Sequence, residues 1–200
     1  MTKIKICGLK RICDIESVNI AKPDYIGFIF AESKRKVTPE QAKELRLKLS
    51  PDIIPVGVFV NEKLDAIASI VKSGIIDIVQ LHGDETEAYI TEIKALTGKP
   101  VIKAVSVLKA GDVQRFADTQ ADYLLLDNKS GGTGQTFDWN HIGEINKPFF
   151  LAGGLDIDNV NQAIIKTNPF AVDISSGVEV DGLKQKEKII SIVRNVKQCH

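Results

Sequence analysis

The chain has 200 residues, 44% of them hydrophobic and 26% charged, which is ordinary for a soluble globular protein with a sizeable core. Lys plus Arg equal Asp plus Glu at 26 each, so no bulk charge argues for nucleic acid or a membrane surface as a partner. Three scattered cysteines give neither a disulfide framework nor a zinc spacing, the N-terminus carries no secretory apolar stretch, and no run approaches the roughly 18 apolar residues of a membrane span; the reading is a soluble, cytoplasmic protein.

Short apolar runs alternate with amphipathic stretches along the whole chain. The strand candidates are Lys3–Cys7, Tyr25–Phe30, Ile54–Val60, Ile76–Leu81, Val101–Val105, Tyr123–Leu126, Pro148–Ala152 and Ala171–Ile174. They are continuously apolar rather than alternating, as parallel strands covered on both faces are. Helical patterns lie between them. Thr38-Pro39-Glu40-Gln41 reads as an N-cap, a proline at the first helical position and an acidic or amide first turn. Asn61, Thr86, Asp112, Asp138 and Asp158 are candidate caps of later helices, and the last helix is expected over Leu183–Val196. The fifth, around Asp112–Thr119, is short with little apolar face. Eight strand–helix units of about 25 residues each predict an α/β protein, a (βα)8 TIM barrel, with residues 1–200 as a single domain and a short or degenerate fifth helix. An open doubly wound sheet is the alternative. It is disfavoured by the number of units and by a first turn without G-x-G-x-x-G.

In such a barrel the strand C-termini converge on one face. Cys7 ends the first strand in Lys5-Ile6-Cys7-Gly8, and Asp127 follows the sixth. With strands 7 and 8 between them round the ring, the two groups can flank a small substrate as base and acid. A thiolate serves as base if nearby positive charge favours it, and Lys5 is near in sequence. The plain alternatives are a small buried hydrophobe for Cys7 and a local cap for Asp127. Gly153-Gly154 and Ser175-Ser176-Gly177 follow strands 7 and 8, where backbone N–H groups of these barrels often cradle phosphate; two tight turns are the alternative. Gly131-Gly132-Thr133-Gly134 reads as an active-site loop anchored by Phe137-Asp138-Trp139. Arg35 is either a fork for a carboxylate or part of a solvated basic turn. His82, closing strand 4 in Gln80-Leu81-His82-Gly83, can touch substrate, act as a base or satisfy a carbonyl.

Read in order, these segments, with Gly57-Val58-Phe59, Leu151-Ala152-Gly153-Gly154-Leu155 and Asp173-Ile174-Ser175-Ser176-Gly177-Val178-Glu179, resemble the phosphoribosylanthranilate isomerase family of tryptophan biosynthesis over nearly the whole chain. The resemblance implies Cys7 as general base, Asp127 as general acid, Arg35 on the anthranilate carboxylate, and Gly153, Gly154, Ser176 and Gly177 on phosphate, with His82, Asp173 and Ser175 also on substrate. It implies a small phosphosugar substrate, an acid/base Amadori rearrangement with neither metal nor organic cofactor, and a monomer or homodimer. The chain departs from the family pattern at Lys10, Lys34 and Gln185, where threonine, proline and aspartate are usual. The rival readings are another phosphosugar barrel enzyme, such as an epimerase or synthase, and a non-catalytic barrel that senses a phosphorylated metabolite.

Overall fold

Strands that are apolar on both faces need cover on both faces, and closure of the sheet supplies it. In a computed structural model that describes residues 1–128 and 136–199, β1 (Lys3–Cys7), β2 (Tyr25–Ile29), β3 (Ile54–Phe59), β4 (Ile78–Leu81), β5 (Val101–Ser106), β6 (Tyr123–Asp127), β7 (Phe149–Leu151) and β8 (Ala171–Ile174) pair in parallel, in chain order, into a closed barrel. Helices α1 (Ile12–Ala21), α2 (Pro39–Lys48), α3 (Leu64–Lys72), α4 (Glu87–Thr97), α5 (Val160–Thr167) and α6 (Lys186–Gln198) cover its outside. None of the described helices is long and apolar enough to cross a membrane.

Two of the expected caps form as read. The Thr38 hydroxyl accepts from the Gln41 amide, and that of Thr86 from the Tyr89 amide. Three do not. Asn61 sits at φ +49° and accepts from the Asp84 amide, while the N-cap of α3 is Lys63. Asp158 yields the N-cap of α5 to Asn159, because the Asp156 carboxylate takes the amides of both. Asp112 accepts backward from the Leu108 and Lys109 amides and precedes only a 3₁₀ turn, Val113–Phe116, where the short fifth helix was expected. The sixth helix is reduced as well. Asp138 caps a single 3₁₀ turn, Trp139–His141. The last helix starts three residues later than expected, since Leu183–Lys184 (β10) pairs with Glu179–Val180 (β9) in a hairpin.

Register fixes which side chains enter the barrel, because paired residues on neighbouring parallel strands share a phase. The chain of partners runs Tyr25–Ile54, Val56–Ile78, Gln80–Ile102, Ala104–Leu125, Leu125–Phe150, Phe150–Ala171 and Lys5–Asp173. Tyr25, Val56, Ile78, Ile102, Leu125, Phe150 and Ala171 therefore form an inner apolar cluster. Above it, in the same phase, stand Lys5, Cys7, Gln80, Asp127 and Asp173. The interior changes from apolar to ionisable within one layer of side chains.

Candidate active site

Cys7, Arg35, His82, Asp127, Gly153, Gly154, Asp173, Ser175 and Ser176 all line one cavity of about 270 Å³ over the strand C-termini. Gly177 stands behind it. A Cβ at that position would lie 2.1 Å from the Leu155 carbonyl oxygen, so the loops after β7 and β8 can meet only through a glycine. Gly131–Gly134 lies outside the described residues. Its expected anchor is present, with Phe137 and Trp139 packed against the core. A larger groove of about 840 Å³ opens between α2 and α3, but it lies outside the barrel wall and holds none of the candidate catalytic or substrate-binding residues.

Cys7 is 6% exposed and points over Gly27, its partner on β2. Lys5, two residues earlier in the same phase, is fully buried and donates to Asp173 Oδ2 at 2.9 Å. Burial works against the lysine charge, but Asp173 and then Cys7 outweigh it and hold the ammonium above its usual value. The other oxygen of Asp173, Oδ1, is buried without a partner. Burial also pushes the Cys7 thiol up; Lys5 and Lys184 pull it down, and Asp173 adds to the rise.

Asp127 Oδ1 accepts from the Asn128 amide at 2.7 Å, and Oδ2 stands 3.8 Å from His82 Nε2. Burial raises this carboxyl to about 6, with Asp173 adding to the rise. An acid of that strength holds its proton far closer to neutrality than an exposed aspartate does. His82 is pushed the other way, below its usual value, first by burial and then by Lys5, which favours the neutral imidazole. Gln80, in phase below it, bonds His82 Nδ1 at 3.0 Å.

Arg35 leaves the loop after β2 and lies against Gly8, where a Cβ would come within 2.6 Å of its Cδ. Its Nε and Nη2 each donate to Glu179 at 2.7 Å, and Lys184 Nζ bonds the same carboxylate at 2.7 Å. Burial opposes the charge of Glu179, yet these two cations hold it down at about 2. Lys184 also donates to the Ser175 carbonyl at 2.9 Å, so the network joins the arginine loop to the β8 loop. One edge of the guanidinium is committed to Glu179, and the remaining Nη1 edge is the donor face left for another carboxylate. Two departures from the family pattern meet here: Lys10 Nζ donates to the Lys34 carbonyl at 2.8 Å and ties the loop before Arg35. The third, Gln185, is the N-cap of α6 without a side-chain cap bond.

Sequence reasoning missed Glu179, Lys184 and Gln80 as members of this site. For Gln80 a signal existed, since it lies two residues before His82 on one strand, as Lys5 does before Cys7. Glu179 closes a motif of the resemblance, but nothing in the sequence pairs it or Lys184 with Arg35, because their roles depend on the hairpin that brings the three together.

A family model described as N-(5'-phosphoribosyl)anthranilate (PRA) isomerase matches residues 4–195. Among curated relatives, the N-(5'-phosphoribosyl)anthranilate isomerase of Endomicrobium trichonymphae is 50% identical, covering 97% of this chain and 98% of the relative. That of Clostridium acetobutylicum is 48% identical over 99% of each. Among solved structures, phosphoribosyl anthranilate isomerase from Thermotoga maritima superposes with a TM-score of 0.88 at 35% identity, covering 98% of this chain and 99% of that one. A structure of phosphoribosyl anthranilate isomerase in complex with reduced 1-(o-carboxyphenylamino)-1-deoxyribulose 5-phosphate gives 0.85 at 34% identity with the same coverage. The fold, the ordered motifs and these matches agree: the chain belongs to the N-(5'-phosphoribosyl)anthranilate isomerase family.

Proposed function

We propose that Asp127 and Cys7 are the acid and base with which this isomerase converts N-(5-phosphoribosyl)anthranilate to 1-(2-carboxyphenylamino)-1-deoxyribulose 5-phosphate. Asp127 gives its proton to the furanose ring oxygen, and the C1′–O bond breaks as the anilino nitrogen forms an iminium. Cys7 takes the C2′ proton, and the electron pair of that C–H bond flows into the iminium to give an enolamine. Tautomerisation to the ketone completes the Amadori rearrangement. The substrate's own iminium is the electron sink, so the chemistry calls for neither metal nor organic cofactor.

The observation that carries this reading is the pairing of unlike groups across one cavity. Asp127, raised to about 6, ends β6, while Cys7 ends β1, and β7 and β8 lie between them in the ring. The loops of those two strands, with Gly153, Gly154, Ser176 and Gly177, are suited to the phosphate, and the open edge of Arg35 to the anthranilate carboxylate. Asp173 Oδ1, buried and unpartnered, is suited to a sugar hydroxyl, with His82 and Ser175 beside it. Gripping the substrate at both ends holds the reacting carbon between acid and base. We place the protein in the cytoplasm, as a single barrel domain acting as monomer or homodimer. The test is the loss of phosphoribosylanthranilate fluorescence with purified, metal-free protein. Turnover is expected without added metal; none, from folded protein, overturns the reading.

A further inference from the structure

A buried thiol is a poor source of thiolate, because leaving water favours the neutral form. Cys7 is buried, so something in its surroundings has to offset that cost if it works as a base. The charged groups around it come from several elements. Lys5 lies on β1 itself and Asp173 on β8. Lys184 lies on β10, and Arg35 on the loop after β2, bound to Glu179 of β9. Asp127 and His82 face the same cavity from β6 and the end of β4.

Among these cations Lys5 stands apart. Lys184 and Arg35 share Glu179 at 2.7 Å. Lys5 has one carboxylate oxygen at 2.9 Å, and it lies two residues before Cys7 in the same inward phase, where its charge pulls the buried thiol down. Both side chains enter the barrel from the same strand, two residues apart, and the lysine has no solvent to turn to. We propose that Lys5 is a positioning residue that sets the proton affinity of Cys7, with Asp173 as its counterweight, so that the strength of the base depends on how one buried ammonium is shared between carboxylate and thiol. This rests on the reading of Cys7 as base, but it concerns a property of the free enzyme that is measurable without turnover.

The test is the pH dependence of iodoacetamide alkylation at Cys7, in a Cys13→Ser/Cys199→Ser background so that a single thiol reports. Lys5→Met removes the cation and is expected to raise the midpoint by about one pH unit or more. Asp173→Asn releases the cation toward the thiol and is expected to lower the midpoint by a comparable amount. Opposite signs are the signature, since a residue that merely supports the fold would loosen the site in both variants alike. If Lys5→Met fails to fold, Lys5→Gln takes its place, and an unchanged midpoint in a folded variant without the charge overturns the proposal; Lys5→Arg, which keeps the charge, is expected to stay close to the parent. An unchanged or raised midpoint in Asp173→Asn overturns the proposal. Near-normal turnover of Cys7→Ser would instead remove the base reading and leave the alkylation result standing by itself.

Discussion

Two buried lysine–carboxylate pairs stand on opposite sides of the barrel wall, and they are built differently. Lys103 and Glu85 lie outside it, under the loop after β4, 2.8 Å apart. Glu85 is saturated: it also accepts from the Asn61 amide at 2.8 Å and from the Gly83 amide at 3.0 Å, and Lys103 donates to the Gly83 carbonyl. Burial opposes the charge of Glu85, but these donors, Lys103 first, hold it below its usual value. Lys5 and Asp173 lie inside the wall, 2.9 Å apart, with Asp173 Oδ1 unpartnered and a thiol beside the ammonium. A fully satisfied buried pair rigidifies what it touches, whereas an unsatisfied one is expensive and persists where a ligand can complete it. The outer pair holds the loop that carries His82; the inner pair presents Asp173 to the cavity.

The comparison breaks most visibly at Cys7. Cys7→Ser keeps the inner pair and the fold, but its hydroxyl is a far weaker base, so kcat is expected to fall on the order of 10²- to 10⁴-fold with an unchanged melting curve. The outer pair predicts the reverse division. Lys103→Met leaves the Glu85 charge buried and uncompensated, costing about 3–5 kcal/mol in denaturant unfolding while kcat of the folded fraction stays near the parent value.

Asp127 sharpens the contrast because its burial is not compensated by a cation of its own. Its native value, about 6, exceeds that of an unfolded aspartate. The stability tied to its neutral form is thus full below the unfolded value and is lost as pH rises through about 6. Asp127→Asn is expected to stabilise the fold by up to about 3 kcal/mol at pH 8 and by nothing near pH 3, read from unfolding curves at both. A smaller change is expected at the carboxylate grip. Arg35→Met removes a charge-assisted contact of about 1.5–3 kcal/mol, or roughly 10- to 150-fold in kcat/KM, while inorganic phosphate still competes as before. Lys34→Met should have little effect, since only the Lys34 backbone carbonyl takes part, through Lys10.

Much of this was legible in the chain. Strand positions follow from apolar runs and were read to within about two residues, as such boundaries allow. The placement of Cys7 and Asp127 followed from strand order alone. The reduction of the sixth helix was not legible. Asp138 has the chemistry of a cap, but only three residues of 3₁₀ turn follow it before the chain reaches β7. Asn61 looked like a cap because its side chain does accept an amide; the amide belongs to Asp84, in the loop after the next strand. Partner identities were the least legible. Lys5 meets Asp173 only because β8 closes on β1, and Arg35 meets Glu179 only through a hairpin no apolar pattern announces.

The central claim, that a proton-holding Asp127 works with a thiolate Cys7, is tested most directly by the pH dependence of kcat/KM. The working form needs Asp127 protonated and Cys7 ionised, yet Asp127 loses its proton near 6 while the buried thiol keeps its own to higher pH. These opposed demands predict kcat/KM rising about tenfold per pH unit up to a break near 6, then level as each gain in thiolate is cancelled by a loss of acid. In Asp127→Asn the residual kcat/KM is expected to climb through that pH without a break. A break near 6 that survives in Asp127→Asn, or none in the parent enzyme, would contradict the assignment.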